Sequence, residues 1–290
     1  MKTLALRRAR RHVLGAALSL ACTLMASTEA VADPTPDRVV TLGAHVTEIV
    51  FDLGAGDVVV GVDSSTTAPA EALRVTQVGS QRQLAIESVL ATRPQLVLAT
   101  DHTGPPAVLA QLRSAGVAVE VLPQVVDLSG AKTRLTQIGG LLGRQEAAAT
   151  AAERLEASLS ALPKPQRPVK AAFIYARGAG TLMVGGTQTV GTAMIALAGG
   201  TPAVTGYEGY KPLTAESLVS AAPEVLVVTE GGLASLGGVD GLLAAPGVKL
   251  TPAGRARRVV AVDDVALLGF GPRSAEAAKV VADALVEAAK

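Results

Sequence analysis

Apolar residues along the chain gather in short unbroken runs: Arg38-Val-Val-Thr-Leu42, Val58 to Val62, Leu96 to Thr100, Val117 to Leu122, 170–175, Val225 to Thr229 and 258–262. Runs of this length without polar alternation are typical of strands buried on both faces. Between them, apolar residues recur at helical spacing over 44–53, 83–92, 106–115, 189–198, 214–221 and 273–289. Strands alternating with helices predict an α/β protein whose parallel sheets are covered on both faces. Residues 178–186 are Gly-rich and read as a turn.

Residues 129–162 break the alternation. Leu135, Ile138 and Leu142 keep helical spacing, Gly143 interrupts it, and an Ala-rich stretch from Gln145 to Leu162 runs into Pro163-Lys-Pro165. This segment predicts a long helix bridging two lobes, stiffer than a hinge made of strands, so that closure on a ligand is small. One segment also occurs twice. Leu84-Ala-Ile-Glu87-Ser88 leads through Arg93-Pro94 into strand 96–100, and Leu213-Thr-Ala-Glu216-Ser217 leads through Ala222-Pro223 into strand 225–229. Each copy reads as a helix ended by Pro and followed by a buried strand. The spacing is far too long for a solenoid. We therefore expect an N-terminal lobe over 33–128, a bridging helix over 129–165 and a C-terminal lobe over 166–290. The ligand cleft should lie between the lobes, beyond the carboxyl ends of the strands.

The start of the chain has a different character. Arg7-Arg8-Ala9-Arg10-Arg11, the apolar run Val13 to Ala21 and Ala30-Val31-Ala32 read as a cleavable export signal over 1–32, by the Sec or twin-arginine route. The apolar run is too short to span a membrane, and Ser19-Leu20-Ala21 before Cys22 is a poor lipoprotein signal. The mature protein is then a periplasmic monomer without cysteine or membrane span, compatible with an oxidising compartment. A formal net charge of +1 and no basic tract argue against nucleic acid.

Few residues remain that could carry chemistry. His45 and His102 each follow a predicted strand on the ligand side, and neutral imidazole ligates iron, zinc and copper. Two histidines are thin for a dedicated zinc site. Tyr207 and Tyr210, in Gly206-Tyr207-Glu208-Gly209-Tyr210-Lys211-Pro212, account for two of the three tyrosines, and a phenolate can ligate ferric haem iron. Arg82 precedes the first repeated helix and Arg273 opens the last one. Both suit a carboxylate, which the guanidinium and helix N–H groups would hold together. Glu87 and Glu216 could be ordinary solvated carboxylates, but their matched placement suits a partner that meets both lobes. The glycine clusters lack GxGxxG spacing and a Gly-Lys-Ser/Thr ending, and GxSxG is absent. The chain therefore reads as a binding protein without enzymatic machinery.

These residues bring a family into view. Arg38-Val-Val-Thr-Leu-Gly43, Thr47-Glu48-Ile49, Leu53-Gly-Ala-Gly56, Val78-Gly79 with Arg82-Gln83-Leu84, Gly104-Pro-Pro106, Glu208-Gly-Tyr-Lys-Pro-Leu213 and Gly269-Phe-Gly-Pro-Arg273 run nearly the length of the mature chain. Together they resemble the periplasmic hemin-binding proteins of ABC importers, in the class that also carries vitamin B12 and ferric siderophores. The resemblance implies two Rossmann-like lobes joined by a long helix and no intrinsic cofactor. Haem is the transported ligand in the cleft, and Glu87 and Glu216 dock on the permease. It also implies Arg82 and Arg273 as partners of the haem propionates. One departure stands out. The family's axial tyrosine, in Val-Gly-Tyr, falls on Ser80, whose hydroxyl cannot replace a phenolate. Iron ligation must then move to His45, His102, Tyr207 or Tyr210, or the cleft takes another tetrapyrrole, a corrinoid or a ferric siderophore. An export-compartment enzyme or a haem chaperone without a permease is a third reading, with no catalytic constellation behind it.

Overall fold

A computed structural model describes residues 35–290 apart from Ala179 and Thr181. The expected export signal over 1–32 lies outside the described residues. In chain order the elements are β1 (Val39–Thr41), α1 (Ala44–Asp52), β2 (Val59–Val62), α2 (Ile86–Ala91), β3 (Leu96–Thr100), α3 (Pro106–Ser114), β4 (Ala118–Leu122), α4 (Leu128–Leu141) and α5 (Gln145–Ser160). There follow β5 (Lys170–Ala176), β6 (Leu182–Gly185), α6 (Val190–Leu197), β7 (Thr201–Pro202), β8 (Tyr210–Pro212), α7 (Ala215–Ala221), β9 (Val225–Thr229) and α8 (Glu230–Ser235). The chain ends with α9 (Val239–Leu243), α10 (Pro252–Arg255), β10 (Val259–Val262), α11 (Asp264–Leu268) and α12 (Ser274–Ala288).

The N-terminal sheet is wholly parallel, in the order β2-β1-β3-β4. The central strands explain why the sequence shows unbroken apolar runs. In β3, Leu96 and Leu98 face one core while Val97 and Ala99 face another, and all five residues are buried. In the second lobe β9 repeats this, with Val225 and Val227 on one side and Leu226 and Val228 on the other. The repeated helices α2 and α7 also end alike. Arg93 (φ 49) and Ala222 (φ 47) take left-handed backbone immediately before Pro94 and Pro223, because a residue before proline is barred from continuing the helix.

Four expectations are corrected. The C-terminal sheet is mixed, in the order β10-β9-β5-β6-β8, with β7 also on β5. Strands β5, β9 and β10 are parallel, but β6 runs antiparallel to β5 and β8 antiparallel to β6. The Gly-rich stretch read as a turn thus contains a strand, Leu182–Gly185, short enough for flanking glycines to mask it. The predicted helix 83–92 splits into a 3-10 turn, Gln81–Gln83, and α2, with Leu84 and Ala85 extended between them. Finally, the bridging helix is two helices packed against each other. Gly143 (φ +65) supplies the left-handed turn that ends one and starts the next.

The helix pair joins the lobes through a shared apolar core. It runs from Val39, Val46 and Ile49 through Leu135, Ile138, Ala148 and Leu155 of the pair to Phe173, Met194, Val281 and Leu285. Each fully buried Leu, Ile or Phe in such a core contributes about 1.5–3 kcal/mol relative to exposure. Opening the lobes by a large angle would expose several of them at once.

Candidate functional site

A cavity of about 440 Å³ lies between the lobes, at the carboxyl ends of the N-terminal strands. Its N-terminal wall is His45 from the first turn of α1, Ser65 after β2, Gln81 and Arg82, His102 after β3 and Gln124 after β4. The loops of this wall are pinned by backbone groups. Asp63, itself buried, accepts from the Gly43 N–H at 2.8 Å and from the Ser65 N–H at 3.1 Å. Gln81 Oε1 accepts from Thr100 Oγ1 at 2.9 Å, and the Gly104 N–H donates to the Gln81 carbonyl.

The C-terminal wall is partly a sheet face. Tyr175 on β5 stands directly across from Met183 on β6, and both line the cavity. Tyr210, opposite Gly185, packs at 5.7 Å from the Tyr175 ring and 6.3 Å from Phe173. The Arg177 guanidinium lies 5.7 Å from the Tyr175 ring centroid. Val190, Asp264, Val265 and Leu268 complete the wall.

His45 is half-buried. Even a Cβ on Gly269 would come within 2.4 Å of the His45 Cβ, so only glycine lets α11 end so close to α1. Burial pushes the His45 imidazole down to about 3, with the Arg134 cation and His102 adding to the effect. The positive end of α1 acts in the same direction. His45 is therefore neutral with a free lone pair, the form that ligates metal. His102 is more open, its Nδ1 lying 3.6 Å from Asp101 Oδ1.

The sequence-predicted residues separate into groups. His45, His102, Arg82 and Tyr210 come together in the cleft. Ser80 is exposed, does not line the cavity, and caps the 3-10 turn by accepting the Arg82 N–H at 3.3 Å. The hydroxyl of Tyr207 donates to the Val184 carbonyl at 3.0 Å and its ring lies under the Lys211 ammonium at 4.5 Å, away from the cleft. Arg273 faces another groove and is committed to Glu48, donating from Nε at 3.1 Å and Nη2 at 2.5 Å, with Asp263 at 3.2 Å. That ion pair ties α1 of one lobe to the start of α12 in the other. Burial raises the Glu48 carboxyl above its ordinary range, and Arg273 only partly offsets this. The tyrosines are held neutral: burial raises the hydroxyls of both Tyr207 and Tyr210, and for Tyr210 Thr189 and the Gly191 backbone offset it only in part. Glu87 and Glu216 are exposed in the first turns of α2 and α7, outside the cleft.

The sequence places Tyr175 and Arg177 at the carboxyl end of an apolar run, on the ligand side, but gives neither a role; Met183 was hidden with its strand. Arg134 carried no signal, because one arginine on a helix is ordinarily solvated, and here it is buried between the lobes.

Known proteins share this architecture. The sequence pattern described as "Periplasmic binding protein" matches residues 39–266. The apo structure of the periplasmic heme-binding protein RhuT from Roseiflexus sp. RS-1 superposes with a TM-score of 0.82 at 39% identity, covering 87% of this chain and 99% of that one. A cobalamin-binding protein of Halobacterium salinarum is 33% identical over 254 residues, 84% of this chain and 68% of that protein. The ABC transporter substrate-binding lipoprotein YvrC of Bacillus subtilis is 26% identical over 203 residues, and the match spans 64% of its length, less than two thirds. Among the described residues no helix is long and apolar enough to cross a membrane. With the two-lobed fold, the cleft at the strand ends and the sequence match in agreement, the chain belongs to the periplasmic binding protein family.

Proposed function

We propose that this protein captures haem in the interlobe cleft and delivers it to an ABC permease. The observation that carries the reading is the pairing of unlike walls around one cavity. His45, held neutral by burial, and His102 stand on one side, and Tyr175, Met183 and Tyr210 on the other. A flat, largely apolar ligand with a central iron uses all of these: imidazole or phenol oxygen for the metal, aromatic and thioether groups for the ring faces. Arg82 and Arg177 border the same cavity and suit the ligand's carboxylates as charge-assisted donors. The loss of the axial tyrosine at Ser80 is then met by His45 or His102 from the N-terminal wall, with Tyr175 facing them. Tyr210, packed against the Tyr175 and Phe173 rings, serves as a stacking surface. The likeness to heme-binding neighbours supports the reading.

Export over residues 1–32 would deliver the protein to the periplasm, where Glu87 and Glu216, one per lobe, dock on the permease. The cobalamin-binding relative favours one second reading, a corrinoid in the same cleft. A titration with ferric haem, repeated with cobalamin as competitor, separates the two. Haem capture predicts a saturable, shifted Soret band at micromolar protein that cobalamin does not suppress. No shift, together with tight cobalamin binding, would move the assignment to the corrinoid.

A further inference from the structure

We propose that a small chamber under the cleft floor holds one water molecule joining Arg134 to His45, which makes Arg134 the positioning residue that decides which His45 nitrogen faces the cargo. This deepens the haem reading, since it rests on His45 as a cleft ligand. The chamber measures about 40 Å³ and is lined by His45, Asp101, His102, Gln124, Arg134 and Gly269, among others. A buried water needs roughly 10–15 Å³ and two to four polar partners, so the chamber is large enough and polar enough.

Arg134 supplies the second observation. It is 4% exposed. Its Nη1 donates to the Gly269 carbonyl at 2.8 Å and Nη2 to the Pro123 carbonyl at 2.7 Å, while its buried Nε–H has no partner among the described residues. A native buried cation with one idle donor beside a polar chamber calls for an acceptor in that chamber.

Charge decides what the acceptor is. The Asp101 carboxylate borders the same chamber, taking the Gln124 N–H on Oδ2 at 2.9 Å and lying near His102 through Oδ1. A small anion would face Asp101 and a cation would face Arg134, whereas a neutral dipole satisfies both. Water can accept from Arg134 Nε–H and from a His45 N–H, and donate to Asp101. Asp63 after β2, Asp264 on α11, Arg82 and Arg177 are the other charged groups around His45 and the cleft it lines. An imidazole that gives its one N–H to this water must turn its lone pair the other way, toward the cleft. That is the usual arrangement behind a metal-ligating histidine.

The test needs no haem, so its failure is separable from failure of the haem reading. Nitrogen-15 NMR of the apo, full-length protein, whose three histidines are few enough to assign, reports tautomer and protonation directly. At neutral pH His45 should show a single tautomer. Its ring should show a cross-peak to a long-lived water. Arg134→Met should remove that cross-peak and leave His45 as a mixture of tautomers, with circular dichroism unchanged. If Arg134→Met does not fold, the wild-type spectra decide. A wild-type His45 that is a mixture of tautomers, or that lacks the water cross-peak, overturns the proposal. So does a His45 signal that moves when chloride is exchanged for sulfate, which would put an anion in the chamber. An unchanged tautomer in folded Arg134→Met overturns the role of Arg134.

Discussion

In the N-terminal lobe the cleft wall is made of loops that follow parallel strands, and it carries imidazole and guanidinium groups. In the C-terminal lobe much of the wall is the face of an antiparallel pair, β5 and β6, and it carries rings and a thioether, with Arg177 and Asp264 at its border. Outside the cleft the lobes are alike. Helices α2 and α7 each bear an exposed glutamate in the first turn, end in a left-handed residue before proline, and lead into a strand buried on both faces. The contrast shows where duplication survives. The exposed outer helices are matched between the lobes, and the walls of the cleft are not.

The likeness is the easier half to break. Glu87→Lys with Glu216→Lys should abolish stimulation of the cognate permease in reconstituted vesicles while leaving ligand binding within twofold, and each single reversal should remove part of it. Equal loss of ligand binding would contradict the docking role.

The shared core makes a thermodynamic claim about the two lobes. Ile138, fully buried on α4, packs in a core common to both, so Ile138→Ala should cost about 2–5 kcal/mol. Hydrogen exchange should show amides of both sheets losing protection together. Loss confined to one sheet would mean the lobes unfold separately.

A smaller effect belongs to the interlobe ion pair. Arg273→Met should cost about 1–3 kcal/mol, below the 3–5 typical of a fully buried pair because the guanidinium is part-exposed. The sign with pH follows from Glu48. Its carboxyl is raised in the folded protein, so what it contributes is greatest below the ordinary carboxylate range and falls as pH rises through the raised value. Without Arg273 the carboxyl rises further, and the variant should recover part of its deficit at mildly acidic pH in urea titrations. A deficit that widens on acidification would contradict this. Smallest of all, Tyr207→Phe should cost about 0.5–1.5 kcal/mol through one hydrogen bond and leave any haem spectrum unchanged.

Much of this was legible in the sequence, for physical reasons. Strands such as 96–100 and 225–229 could be read to the residue because burial on both faces demands unbroken apolar runs. The cleft histidines were legible because they follow those strands. Strands β6 and β8 were not, since they are short and set among glycine, proline and lysine, and their pairing depends on β5. Arg273 misled for a related reason. A guanidinium at a helix N-terminus suits a ligand carboxylate equally well as Glu48, and only the fold, which brings Glu48 of α1 to Arg273, chooses between them. The roles of Ser80 and Tyr207 likewise depend on a local cap and a local carbonyl that sequence spacing does not reveal.

The central claim is that both walls hold one cargo, and the absorption spectrum of the ferric haem-loaded protein tests it most directly. Wild type should show a single saturable Soret shift. Tyr175→Phe should alter its position, and so should His45→Ala or His102→Ala, whichever imidazole reaches the iron. A spectrum identical to wild type in all three variants, or no Soret shift in wild type, would contradict the account.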